Sequence, residues 1–402
     1  MGLQQITGNE IAAGSIAATD LASASITGDK LGLTAINANN IVNATITTTQ
    51  IASNTISNTN IQTGAIENYS RATGLLSGMR NRIINGAMVI NQRNTTISAS
   101  DSGWQYAVDR WAAFQSISSS KFTLAGSSTA PTGFTNSLLA TSSSAYTLSA
   151  SEFFTVRQPI EGFNSDFGWG TASAKTVTLS FWVRSSVTGT FAGFIQNAND
   201  GSRTYPFTYA ISVANTFEYK TITIEGDTSG TWLTNNGAGP AVCFSMGCGS
   251  TYLGTADAWT GSTIFGVTGQ TNLVATNGAT WFVTGVQLEV GSTATSFDYR
   301  PIGTELALCQ RYYWQCTDSV GQSISTNNIT RTPISMPVVM RAAPTLVSGA
   351  SFTVGSGSAG TPLIFIGTGA PATVTAVWIY NSGSAWTLGQ AVSLNAGFNS
   401  EL

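Results

Sequence analysis

Thr176-Val177-Thr178-Leu179-Ser180-Phe181-Trp182-Val183-Arg184 sets Val177, Leu179, Phe181 and Val183 two residues apart. Successive side chains of a strand leave on opposite faces, so this spacing predicts a strand with one buried side. Tyr219–Ile224 and Trp281–Val290 alternate in the same way. Further strands are expected at Ala87–Gln92, Arg110–Phe114, Lys121–Ala125, Phe153–Pro159, Phe191–Gln196 and Val242–Met246. Gly, Ser and Asn turns separate them, the pattern of an antiparallel all-β sandwich. Residues 85–301 suit a jelly roll with long loops. Trp111, Phe181, Trp182 and Phe282 read as core or sheet-face aromatics.

Upstream the pattern changes. Ile6, Ile11, Ile16, Leu21, Ile26, Leu31, Ile36, Ile41, Ile46, Ile51, Ile56, Ile61 and Ile66 recur at every fifth position. Five helical steps rotate about 140° past a full turn, so these side chains make no stripe on an α-helix. On a straight strand an odd step alternates faces. A bend in each pentad solves both problems and offers one aliphatic side chain per pentad to a central axis. A square single-chain solenoid would also turn the residue two before each aliphatic inward, and those include Asp29 and Asn39. Burying them unpartnered costs a few kcal/mol. A shaft wound from three identical chains leaves them in water and is the favoured reading. A disordered polar linker has no need of in-phase aliphatics.

The first aromatic residue is Tyr69 and the first proline is Pro131, so composition breaks near residue 68. The expected domains are a pentad-repeat shaft over 1–68, a bridge over 69–84, the sandwich over 85–301 and a small β tip over 302–402. In the last, Gly303–Arg311 reads as a short helix. Strands are expected at Ile334–Met340, Ser351–Val354, Pro362–Gly367 and Thr373–Tyr380. Gly355-Ser356-Gly357-Ser358-Ala359-Gly360 fits G-x-G-x-x-G. A strand-like run follows it instead of a helix, so it reads as a hairpin turn.

Only 9% of the 402 residues are charged and the net charge is −3. No basic patch stands out, which argues against a nucleic-acid partner. The start lacks the basic and apolar regions of a signal peptide, and no run of about 18 apolar residues predicts membrane insertion. Histidine is absent, which removes Ser-His and Cys-His catalysis and every His-based metal site. Cys243, Cys248, Cys309 and Cys316 lack zinc-site spacing and read as buried thiols. No cofactor or metal is expected. Glu225 and Asp227 could pair as hydrolytic carboxylates, but solvated turn residues are the simpler reading. Asp109 with Arg110, and Asp298 with Arg300, read as local ion pairs.

Sugar binding uses exposed aromatic faces with amides or carboxylates beside them. Trp232 with Asn235 and Asn236 has that composition, as do Tyr252, Asp257 and Trp259. In the last module the candidates are Trp378, Tyr380 and Trp386. Packing is the simpler reading for each aromatic, since Trp is mostly buried.

Three stretches resemble tail-fibre and receptor-binding proteins of tailed bacteriophages. They are Arg80–Arg93 followed by Val108–Trp111, Phe282–Gly291 ending in Thr295–Pro301, and Cys309–Trp314. The aliphatic pentads also look like the shafts of such fibres. The resemblance implies a homotrimer on the virion, made in the host cytoplasm. It also implies an N-terminus held by other tail proteins and a distal part that attaches to host surface polysaccharide or lipopolysaccharide. The central domain looks like carbohydrate-binding jelly rolls. The expected function is attachment by binding, not catalysis. The alternatives are a tailspike-like polysaccharide depolymerase and a purely structural tail protein.

Overall fold

The computed structural model describes residues 15, 17–20, 79–322, 329–332, 336–347, 351–354, 357–358, 377–380 and 391–402. The chain divides into two units, Met1–Ser77 and Gly78–Leu402. In the first, Ala18–Asp20 forms a 3-10 turn, with the Asp20 carboxylate accepting from the Ala17 N–H at 2.8 Å. The thirteen aliphatic pentad positions lie outside the described residues.

Among its described residues the second unit is all-β but for one helix and short 3-10 turns. Its first sheet contains β1 (Ile97–Ser98), β4 (Phe122–Ser127), β5 (Ser137–Ser142), β7 (Val177–Ser185), β10 (Glu218–Ile224) and β14 (Thr280–Val290). Their spatial order is β1-β4-β5-β14-β7-β10. The second sheet contains β2 (Gln105–Val108), β3 (Trp111–Gln115), β6 (Phe153–Glu161), β8 (Gly189–Asn197), β9 (Thr204–Ile211) and β11 (Ala238–Cys248). It runs β2-β3-β6-β11-β8-β9, and the pairings in both sheets are antiparallel. This is the jelly-roll-type sandwich expected from the alternation. Val177, Leu179, Phe181 and Val183 are fully buried between the sheets with Trp111, Phe154, Phe191, Phe244 and Trp281. Burying each such side chain contributes about 1.5–3 kcal/mol. The edge strand β10 turns Glu218 and Lys220 toward the buried side as a 2.6 Å ion pair, a device that blunts edge-to-edge pairing.

Ala87–Gln92 is not a strand. Asn85 and Met88 sit at φ 57° and 59°. The Asn85 amide donates to the carbonyls of Ile90 (2.7 Å) and Asp109 (3.0 Å), and its Oδ1 accepts from the Ile90 N–H (3.0 Å). One buried side chain thus supplies bonds that a neighbouring strand would have made. Asn81 does the same for β14, donating to Val286 and accepting from Leu288. Arg300 donates to the Asn81 and Ile83 carbonyls and pairs with Glu305 at 3.1 Å. Gln92 donates to the Tyr313 carbonyl at 2.8 Å. The motif stretches at 80–93, 282–301 and 309–314 therefore meet in one hydrogen-bonded hub.

The local ion pairs expected from sequence take other partners. Arg110 pairs with Glu401. Asp109 accepts from the Gln92 N–H (2.7 Å) and side-chain amide (2.6 Å), while Asp298 accepts from the Asn81 N–H. Asp109 and Arg110 form the β2–β3 turn, with Arg110 at φ 70°, and each of the four side chains is taken by a group remote in sequence, so nearness along the chain is poor grounds for a contact.

The helix α1 (Ile302–Gln310) leads into a five-stranded arrangement of β15 (Tyr313–Gln322), β17 (Thr345–Leu346), β18 (Ser351–Val354), β19 (Gly357–Ser358) and β21 (Ala391–Asn399). Two-stranded sheets join β12 (Leu253–Gly254) to β13 (Gly266–Val267) and β16 (Ile329–Thr332) to β20 (Val377–Tyr380). Ser351–Val354 is a strand as expected, and it pairs antiparallel with Gly357–Ser358 of the glycine motif. Residues 336–340 of the strand expected at Ile334–Met340 are irregular; Pro337 has no N–H to give a ladder. Pro362–Gly367 lies outside the described residues.

Candidate functional site

The side of the first sheet turned away from the core is built from the alternate residues of β7, β10 and β14. Register places Trp182 between Tyr219 and Thr284, and Arg184 opposite Phe282. The Trp182 and Tyr219 rings lie 5.4 Å apart, and Tyr219 is 44% exposed. A β-bulge in β14 between Thr284 and Gln287 puts Gly285 at φ 61°. A Cβ there would sit 2.6 Å from Phe134, so only glycine lets that ring lie against the strand. Phe134 packs with Phe297 (5.2 Å, edge-on) and Tyr299 (5.6 Å). The Tyr299 hydroxyl donates to the Gly133 carbonyl at 2.6 Å.

Between these two aromatic groups runs an open groove of ≈ 560 Å³. Trp182 and Tyr219 line one part, Phe134, Phe297 and Tyr299 another, and Thr132, Ser180, Thr295 and Ser296 supply hydroxyls. No charged residue lines it. The sequence marks Trp182 as a core or sheet-face aromatic and marks none of these residues as binding candidates.

The sequence-derived candidates divide. Trp232 and Trp259 meet with Trp169, which the sequence reading had not named, in three edge-on contacts of 4.9 Å (169–232), 5.1 Å (169–259) and 5.6 Å (232–259). Each indole N–H is used internally: Trp169 donates to Lys175 O (2.9 Å), Trp232 to Ser229 O (3.1 Å) and Trp259 to Glu225 O (2.7 Å). Gly170, at φ 81°, allows the close approach, because a Cβ would lie 2.6 Å from the Gly230 carbonyl. Asp257 is exposed at φ 62°, and its N–H donates to Pro206 O at 2.8 Å. Burial, with the Asp257 and Glu225 carboxylates adding to it, pushes the nearby Tyr205 phenol up to about 12. Half-buried Trp232 and Trp259 pack on the core, so this cluster is chiefly a rim of the sandwich.

Asn235 and Asn236 serve the backbone. The Asn235 side chain accepts from the Gly237 N–H at 2.8 Å, and Asn236 exchanges bonds with Arg341. Tyr252 lies in a separate cluster with Phe153 (5.1 Å) and Phe265 (4.9 Å). Trp378 and Tyr380 stand in β20, opposite Arg331 and Ile329, and Trp386 is outside the described residues. Of the carboxylates expected as solvated turn residues, Glu225 is exposed but Asp227 is buried in a bidentate pair with Arg203. The missing counter-charge was invisible in sequence because Arg203 lies in another loop.

All four cysteines are buried. Burial pushes the Cys243 thiol up to about 12 and Cys248 to about 11, so neither ionises near neutrality. Among the described residues no group of His, Cys, Asp and Glu is placed to hold a metal ion, and no helix is long and apolar enough to cross a membrane.

No protein-family model matches the chain, and no curated protein matches it. Among solved structures it is similar to the enzymatically active domain of tailspike protein 4 of bacteriophage CBA120. Identity is 15% and the TM-score 0.28, over 52% of this chain and 21% of that one, so the match spans about a fifth of the tailspike chain. It is also similar to the family 11 carbohydrate-binding module of Clostridium thermocellum in complex with a β-1,3-1,4-mixed-linked tetrasaccharide (10% identity, TM-score 0.25, 50% of this chain and 98% of that). A third is the TmCBM61 module in complex with β-1,4-galactotriose (10% identity, TM-score 0.25, 52% and 99%).

Proposed function

We propose that this chain is a bacteriophage tail fibre whose sandwich binds glycan on the bacterial surface, using the groove on the first sheet. One observation carries the glycan reading: a solvent-open cleft of ≈ 560 Å³ with aromatic walls and a rim of hydroxyls. A sugar ring has apolar C–H faces that stack on such walls and hydroxyls that exchange bonds with such a rim. Cleavage of a glycosidic bond requires two carboxylates about 5–10 Å apart, and the groove lining has none, which favours binding over hydrolysis there.

The fibre reading is supported by the pentads and by the resemblance of residues 80–93, 282–301 and 309–314. In it residues 1–68 are a three-chain shaft held by other tail proteins, 69–84 a bridge, 85–301 the binding domain and 302–402 a tip. The host-side partner is surface polysaccharide or lipopolysaccharide. Three linked sites raise a contact of order mM by about 10²–10⁴.

The test is adsorption of the purified chain to immobilised host polysaccharide. Trp182→Ala combined with Tyr219→Ala should abolish adsorption with an unchanged circular dichroism spectrum. Undiminished adsorption overturns the groove assignment, and release of new reducing ends assigns a depolymerase instead. Sedimentation mass near three times 41.8 kDa is expected for the fibre.

A further inference from the structure

One charge stands beside the groove without a partner. Arg184 follows Trp182 by two residues on β7, so both leave the same face of the first sheet, about 7 Å apart along the strand. Its guanidinium lies 5.0 Å from the Phe282 ring and 5.9 Å from Phe217, and those rings are themselves 6.2 Å apart. Aromatic walls hold the guanidinium plane and remove part of its water.

Other charges near this sheet are already satisfied. Glu289, on the same face, accepts from the Thr295 N–H (2.8 Å), the Thr295 hydroxyl (2.7 Å) and the Gln287 amide (2.8 Å). Glu218 and Lys220 pair with each other at the edge strand. Arg184 makes no ion pair or hydrogen bond among the described residues, and its Nε is buried with no acceptor. Arg203, Arg110 and Arg311 are neutralised by Asp227, Glu401 and Glu161, whereas Arg157, in the interior beside Trp104, shares the unpaired state of Arg184 among the described residues but has no groove beside it. A partly desolvated cation left single is costly unless an anion completes it.

We infer that Arg184 selects glycans carrying an oxyanion, the sugar ring stacking in the Trp182–Tyr219 groove while a carboxylate or phosphate substituent meets the guanidinium. This inference rests on the glycan-binding reading of the groove and names its ligand class. A guanidinium fork matches both oxyanions bidentately, and no charged residue of the groove lining competes with it.

The experiment probes the full chain against an oligosaccharide array holding the same backbones in neutral, uronic-acid and phosphorylated forms. Bound glycans should carry carboxylate or phosphate, and which of the two binds identifies the source of the oxyanion. Arg184→Gln should weaken those hits at least about tenfold. It should also flatten their salt dependence and shift the thermal midpoint only slightly, since the ring contacts with Phe282 and Phe217 are the internal partners lost. Arg184→Lys, a point charge without the fork, should fall between. Neutral hits as strong as charged ones, or charged hits indifferent to Arg184→Gln, overturn the inference while the glycan reading stands. Loss of every hit in Trp182→Ala, with neutral and charged glycans still distinguished by wild type, supports both. An array without any hit overturns both.

Discussion

The two sheets share one core but meet the solvent differently. On the second sheet, Phe153, Phe194 and Cys243 also point away from the core, yet they are covered. Phe265 lies 4.4 Å from Phe153 and 5.1 Å from Phe194, Tyr252 packs on both Phe153 and Phe265, and Cys243 is fully buried. On the first sheet the segment 294–299 crosses only part of the face, leaving Tyr219 44% exposed and the groove open. Strands of similar alternation thus end as an interior on one side and a binding face on the other. The connecting segments decide which.

That contrast can be broken in graded ways. Phe265→Ala removes the cover of the second sheet and should cost about 3–5 kcal/mol in urea unfolding, as for a buried Phe. A loss below about 1 kcal/mol would mean the cover is not part of the core. Gly285→Ala must adopt a left-handed φ and displace Phe134. It should cost about 1–3 kcal/mol and weaken glycan adsorption, because the groove wall moves.

Asp109, at the β2–β3 turn of the closed sheet, gives a pH signature. Burial is the main cause that pushes its carboxyl up to about 6, against the favourable pull of Arg93 and Gln92. Between the ordinary value and 6 the folded state holds a proton that the unfolded chain has released. Its contribution is therefore complete at low pH and is lost as pH rises through 6. The thermal midpoint of wild type relative to Asp109→Asn should fall between pH 4 and pH 7; a constant difference would refute the buried carboxyl. The smallest stability effect belongs to the open face. Tyr219→Ala should change unfolding by no more than about 0.5 kcal/mol while reducing glycan adsorption severalfold.

Strands of period two were legible because their alternation is local: Val177, Leu179, Phe181 and Val183 announce their buried side. The groove was not, because the exposure of Trp182 and Tyr219 depends on a segment more than seventy residues away in sequence. Composition singles out Trp232, Trp259 and Asp257, and the two indoles gather at one rim. Composition could not show that the indole N–H groups are already spent on carbonyls. Ala87–Gln92 misleads in the opposite sense. Its apolar run imitates a strand, but the Asn85 side chain supplies the bonds a neighbouring strand would have made. Asp227 looked solvated because its partner, Arg203, is remote in sequence.

The Asn81 hub also has a mechanical consequence. The Arg82 N–H donates to Leu288, Asn81 grips β14 at Val286 and Leu288, and β14 lies between β5 and β7. A tug arriving along the backbone at Met79 therefore reaches a central strand first, through the bonds that Asn81 and Arg82 make to Val286 and Leu288, and not a strand at the rim of the sheet.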